Sequence, residues 1–133
     1  MAETELIVIY LAKAEESLAG AESEFGNRRY NNTANRAYYA CFQAAIAAIL
    51  REGLSARAGQ WGHDYVPAQF NGELISRRHR YSTDLRGVLE RNYILRQSAD
   101  YDGEHVSQTQ ADRALGRTRL FVEAVQHGGG ETA

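Results

Sequence analysis

Along residues 33–50, TANRAYYACFQAAIAAIL, the larger apolar residues recur at helical spacing. Tyr38, Cys41, Phe42, Ala45, Ile46 and Ile49 fall on one face. The run holds seven Ala and no Gly or Pro, and Ala at 34, 37, 40, 44, 47 and 48 keeps the remaining surface small. Neighbouring helices can therefore approach on more than one side, which predicts a central bundle helix. An earlier stripe, Leu6, Tyr10, Ala14, Leu18, Ala21 and Phe25, predicts a first helix over 4–25, capped by Thr4 and ended by Gly26-Asn27. Asn31 or Asn32 is the expected cap of the second helix and Gly53 its end. Residues 53–81 are irregular, with a short helix expected near 63–70 that tolerates Pro67 in its first turn. Ser82-Thr83-Asp84 reads as the start of a further helix reaching about Ala99. Its inward stripe, Leu85, Val88/Leu89, Asn92, Leu95/Arg96 and Ala99/Asp100, turns polar towards the C-terminus. Gly103 interrupts, and Ser107 with Gln110 forms a capping box for a last helix that buries Ala111, Ala114, Leu115, Phe121, Val122 and Val125.

No strand-like alternation and no internal repeat occurs. The expected fold is all-α, an up-and-down bundle of four to five helices, with one domain over 1–127 and a short flexible tail over 128–133. At 133 residues and 14.8 kDa the chain is large enough for a single core. A net charge of −2 gives no global attraction for nucleic acid or anionic membrane, so such binding must be local. Of the fifteen basic residues only Lys13 is a lysine, and the other fourteen are Arg, the better phosphate fork. The single cysteine, Cys41, excludes an intramolecular disulfide and reads as a small core residue of a cytoplasmic protein. The acidic start MAETEL is no signal peptide, and no apolar run is long enough to span a membrane.

Phosphate loops, CxxC, HExxH and GxSxG are absent, and the scattered His63, His79, His105 and His127 give no metal-ligand spacing. No metal and no cofactor is expected. Two places stand out. Arg77, Arg78, His79 and Arg80 form the one dense basic cluster, either a solvated loop or a phosphate-contacting patch. In LRQSADYD at 95–102, Arg96 and Asp100 share a helix face with Tyr101 adjoining. Arg N-terminal to Asp is the poorer order for an i, i+4 pair, and an acid at a helix C-terminus opposes the dipole. Helix stability is thus a weak reason for the arrangement, and a tertiary or functional reason gains. Arg36, nearly the only charge among the Ala and Tyr of the central helix, either snorkels to water or is kept for a partner.

NRAYYACFQAA at 35–45, a His followed by aromatics at 63–70, and LRQSADYD at 95–102 together resemble the HEPN superfamily, in order over roughly 5–126. Within it the chain is similar to the small stand-alone HEPN proteins. The resemblance implies a helical bundle that forms a homodimer and is often encoded beside a minimal nucleotidyltransferase acting as antitoxin. Many HEPN proteins are metal-independent endoribonuclease toxins whose active site is an Arg followed after four to six residues by His, paired across a dimer cleft. In some, the nucleotidyltransferase attaches AMP to a tyrosine beside that motif, which points to Tyr101 as a modification site.

The chain departs from this pattern, since Tyr101, Asp102 and Gly103 stand where the His belongs and His105 lies too far along. Arg57 and His63 match the spacing literally but fall in the irregular middle, where the match is read as chance. Cleavage by the RNA 2′-hydroxyl needs a base and an acid, and Arg96 with its fixed charge serves as neither. The candidate catalytic residues are therefore Arg96, Asp100, Tyr101 and His63, with Arg36, Asn92, Arg77, Arg78 and Arg80 as candidate substrate contacts. Three readings stay open: an RNA-cleaving toxin with a variant site, a catalytically silent module that binds a nucleotidyltransferase and its nucleotide or substrate, and a dimeric bundle with no site.

Overall fold

The computed structural model describes residues 2–101 and 105–128. Five α-helices occur among them: α1 Ala2–Gly26, α2 Tyr30–Arg51, α3 Tyr65–Gln69, α4 Val88–Tyr101 and α5 Gln108–Gln126. A π-helical stretch, Phe70–Arg77, continues α3, and a single 3-10 turn, Thr83–Leu85, precedes α4. No β-strand is present among the described residues; one isolated bridge joins Arg57 and Gln60.

The all-helical expectation holds, and α2 is its centre. It packs against α1, α4, α5, α3 and the π-helical stretch. Alanine is the reason: Ala37, Ala40, Ala44, Ala45, Ala47 and Ala48 are all 0% exposed, so neighbouring helix backbones can approach closely. Ile46, Ile49, Val66, Phe70, Leu74, Leu89, Phe121 and Val122 fill the space between the helices. Phe70 and Phe121 meet with ring centroids 4.6 Å apart, tying the π-helical stretch to α5. All six residues expected on the inner face of α5 are buried, and the Ser107–Gln110 capping box has both of its hydrogen bonds.

Several local expectations are corrected. The first helix already runs at Ala2, which puts Thr4 inside it, and Leu6 of the expected inner stripe is 42% exposed. Neither Asn31 nor Asn32 caps α2. Asn31 Oδ1 accepts from the Val106 amide at 2.8 Å, Asn32 Nδ2 donates to Glu24 Oε1 at 2.8 Å, and Arg29 stands at the cap position without a side-chain bond. Ser82 does cap a helix start, accepting from the Asp84 amide at 3.0 Å, but only the 3-10 turn. Gly87, with φ +83°, then redirects the chain, and α4 begins at Val88. At the other end α4 continues to Tyr101, two residues beyond Ala99. The expected break at Gly103 and most of the expected tail lie outside the described residues.

One polar side chain sits in the middle of this packing. Asn92 of α4 is 1% exposed. Its Nδ2 faces Thr118 Oγ1 at 3.0 Å, Cys41 Sγ at 3.3 Å and the Ala37 carbonyl at 3.4 Å, while its Oδ1 accepts from Arg117 Nε at 2.7 Å. One amide thus joins α2, α4 and α5, and a fully bonded buried amide fixes a single register. Asn92→Ala should cost about 1–3 kcal/mol, because partners on two helices lose their bonds in a site closed to water. Urea denaturation of wild type and variant checks this; an unchanged midpoint would contradict it.

Candidate functional site

α2 places Tyr38 and Tyr39 in succession, the first buried and the second 37% exposed. α4 crosses them with Tyr93, Arg96, Gln97 and Asp100, positions i, i+3, i+4 and i+7 that share one flank of a helix. The result is an aromatic platform around a cation. The Arg96 Cζ lies 5.2 Å from the Tyr38 ring centroid and 5.3 Å from that of Tyr39, both within cation–π range. Tyr38 meets Tyr39 edge-on at 5.1 Å, stacks on Phe42 at 5.6 Å and touches Tyr93 at 5.7 Å.

Arg96 is held by these rings more than by its ion pair. Asp100 Oδ2 lies 3.5 Å from Arg96 Nε, close enough for charge attraction but not aligned as a hydrogen bond. The buried Nε has no hydrogen-bond partner among the described residues. The Arg96 side chain is 20% exposed, so its outer end reaches solvent. A guanidinium with five N–H donors and one loose carboxylate is an incompletely satisfied cation, able to receive an oxyanion.

The platform extends to a histidine from a different segment. His63, in the stretch before α3, lies flat on Tyr93, with ring centroids 4.8 Å apart and planes 8° apart. Gln97 Nε2 donates a hydrogen bond to the Tyr93 hydroxyl and so fixes the ring on which His63 rests. His63 and Arg96 are thus joined through Tyr93 and Tyr38. Arg57, which spaces with His63 in the sequence, lies instead over the Tyr65 ring at 4.8 Å.

The remaining sequence candidates do not join this cluster. Asn92 is the buried hub described above and has no surface to offer a substrate. Arg77 pairs with Glu73 at 3.0 Å, Arg78 with Glu52 and Glu73 at 3.5 Å, and Arg80 with Glu52 at 3.2 Å. Two glutamates therefore offset the basic run, which is anchored at the C-terminal end of α2, about 20 Å along that helix from Tyr38 and Tyr39. Arg36 is exposed beside α1, where a Cβ on Gly20 would lie 3.7 Å from its Cδ. Tyr101 ends α4; its side chain, Asp102 and Gly103 lie outside the described residues. A cavity of about 380 Å³ at the α1–α2 turn is lined in part by Arg28, Arg29 and His105, none of them a sequence candidate.

Burial sets the protonation of two neighbours. It pushes the Tyr38 hydroxyl up to about 12, although the Arg96 charge pulls the other way. It likewise pushes the Cys41 thiol up to about 12 against the opposing pull of Thr118, Arg117 and Asn92. Neither group is an anion near neutral pH, and Cys41 is no nucleophile there.

A family model for the HEPN domain matches residues 7–128, nearly the whole chain. The chain belongs to the HEPN domain family. It is also 28% identical over 114 residues to a protein of Methanocaldococcus jannaschii named "Putative toxin MJ0605", covering 85% of this chain and 81% of that protein. Of the four candidate catalytic residues, the HEPN bundle pairs Arg96 with Asp100 and links His63 to Arg96 only through the Tyr93 and Tyr38 rings. It adds Tyr38, Tyr39, Tyr93 and Gln97, which sequence reasoning did not single out as site residues. Adjacent Tyr38-Tyr39 was the available signal, since only one of two successive helical residues fits a buried stripe. Among the described residues no helix is long and apolar enough to cross a membrane.

The raised Tyr38 and Cys41 values have a pH consequence. Both groups bind their proton more tightly folded than unfolded, so their contribution is fully present below the unfolded values of 9.0 for Cys and 10.0 for Tyr. It is lost as pH rises towards about 12. Urea midpoints measured against pH should fall across that window, and Tyr38→Phe should remove its share of the fall. A flat profile for wild type would contradict the assignment.

Proposed function

We propose that this HEPN protein is a metal-independent endoribonuclease toxin, active as a homodimer and held in check by a minimal nucleotidyltransferase antitoxin encoded nearby. The observation that supports it most is Arg96, a cation held face-on by two tyrosine rings with one misaligned carboxylate as its ionic partner among the described residues. In the reaction the RNA 2′-hydroxyl attacks the neighbouring phosphorus and the bond to the 5′ oxygen breaks. The products are a 2′,3′-cyclic phosphate and a 5′-hydroxyl. Extra negative charge on the phosphoryl oxygens is what Arg96 offsets, from a mostly buried position where a fixed charge acts strongly. The 2′ proton must pass to a base and the 5′ oxygen must gain a proton. His63, an imidazole on the same platform, is the proton-transfer group that the segment after Arg96 lacks. Asp100 either orients Arg96 or takes the 2′ proton. Two-fold pairing of α4 near residues 92–101 would bring two Arg96 side chains to one cleft.

The absence of His at the family spacing favours a second reading, a silent module that binds the nucleotidyltransferase and its nucleotide or substrate. Growth and purified-RNA cleavage without added metal separate the two. Wild type should cleave and run in light scattering at twice the mass of 14.8 kDa. Arg96→Ala should lose about a hundred- to a thousandfold in rate. Asp100→Ala should match that loss if the acid is the base and fall well short if it only orients Arg96. If wild type leaves RNA intact, or Arg96→Ala cleaves as fast, the ribonuclease reading fails and the silent module replaces it.

A further inference from the structure

A second concentration of positive charge lies on the other flank of α4. Between α4 and α5 runs a groove of about 280 Å³ to which Arg91, Arg113 and Arg117 all contribute, with no acidic residue lining it among the described residues. Arg113 makes no hydrogen bond or ion pair with any described residue. Among the described residues Arg91 has only the Arg86 carbonyl, 3.3 Å from its Nη2. Arg117 is bound through Nε to Asn92 and also lines the groove, and burial together with the Arg91 charge makes it a weaker base than usual. The contrast with positions 77–80 is direct, because there Glu52 and Glu73 answer the charge. Here three guanidinium groups share one groove with no carboxylate among the described residues to offset them, an arrangement that repels itself until an anion arrives.

We infer that the α4–α5 groove is a second RNA-binding site that takes the phosphodiester backbone of a single strand. Its occupant is a strand because the groove combines cations with apolar and neutral polar lining. Ile94, 64% exposed, offers a surface for sugar or base, and Ser98 and Gln110 offer hydrogen bonds beside the arginines. The location also fits. Arg96 works on the α2 flank of α4 and the groove opens on the α5 flank, so the two are separated by the width of one helix, about 10–12 Å. The choice of RNA rests on the ribonuclease reading, whereas the charge imbalance in the groove does not.

The test is fluorescence anisotropy with a short 2′-O-methylated RNA oligonucleotide, which lacks the attacking hydroxyl and stays intact. Arg113→Glu should weaken binding about tenfold or more, and Arg113→Ala should lower the slope of log affinity against log salt by about one contact. Arg28→Glu, an equal charge change at the α1–α2 turn, should bind like wild type. Because Arg113 has no partner among the described residues, circular dichroism melts of its variants should match wild type. Wild-type affinity in both Arg113 variants overturns the groove as an RNA site, and equal weakening in Arg28→Glu reduces it to net charge and overturns it as well. Equal affinity for tripolyphosphate, or binding of polyglutamate but not RNA, replaces the strand with free phosphate or an acidic protein. Cleavage of unmodified RNA, run alongside with Arg96→Ala, keeps the two proposals apart. Unchanged binding in the Arg113 variants with cleavage still lost in Arg96→Ala sinks only the groove, and wild type that neither binds nor cleaves sinks both.

Discussion

The buried amide of Asn92 is the constraint from which the site follows. A helix laid on an alanine-rich surface has few large knobs to stop it sliding or rolling, and α2 presents alanine on nearly every side. The hydrogen bonds of Asn92 to Thr118, Cys41, the Ala37 carbonyl and Arg117 remove that freedom. They set both the rotation of α4 and its height along α2. Arg96 comes one turn later on the same helix and therefore meets Tyr38 and Tyr39, one and two residues past Ala37. The rotation that turns Arg96 towards α2 turns Arg91 and Ser98 towards α5, so one packing decision produces both charged surfaces.

The site itself depends on a balance between holding a cation and leaving it free. Had Arg96 formed an aligned, bidentate pair with Asp100, its donors would be satisfied and an incoming phosphate would have to break that pair. Aromatic rings hold the charge in place without using its N–H groups. The same rings carry His63 on Tyr93. An imidazole that follows Arg in the chain is positioned by helix geometry, while His63 is positioned by stacking and by the Gln97 bond to the Tyr93 hydroxyl. On the ribonuclease reading, different sequence positions would in this way supply one pair of functional groups.

Much of the bundle was legible because its cause is local. The alanine-rich helix, the capping box at Ser107 and the apolar stripe of α5 need only periodicity and neighbouring residues. The mistaken expectations share a different origin. Ser82 has the right chemistry for a cap, but nothing local announces that Gly87 will adopt a left-handed conformation and restart the helix. Asn31 is a good cap residue that instead bonds to the Val106 amide, seventy-five positions away. The π-helical form of Phe70–Arg77 was likewise absent from the expected elements. For the site, spacing on one helix revealed Arg96 and Asp100, and the order of their charges argued for a role beyond helix stability. Tyr93 and His63 meet across thirty residues, a contact no periodicity announces. The α4–α5 groove joins Arg91 to the same-sign i, i+4 pair Arg113 and Arg117. That pair was a readable hint, because like charges at that spacing weaken a helix.

The central claim is that Arg96 and His63, from separate segments, act on one reacting phosphate. A double-mutant cycle on RNA cleavage by the purified protein tests it most directly, using Arg96→Ala, His63→Ala and the pair. Groups that serve one transition state are strongly non-additive. The account expects each single variant to lose most of the activity and the double variant to be little worse than the poorer single. A His63→Ala protein that cleaves at the wild-type rate, or losses that simply multiply in the double variant, would contradict it.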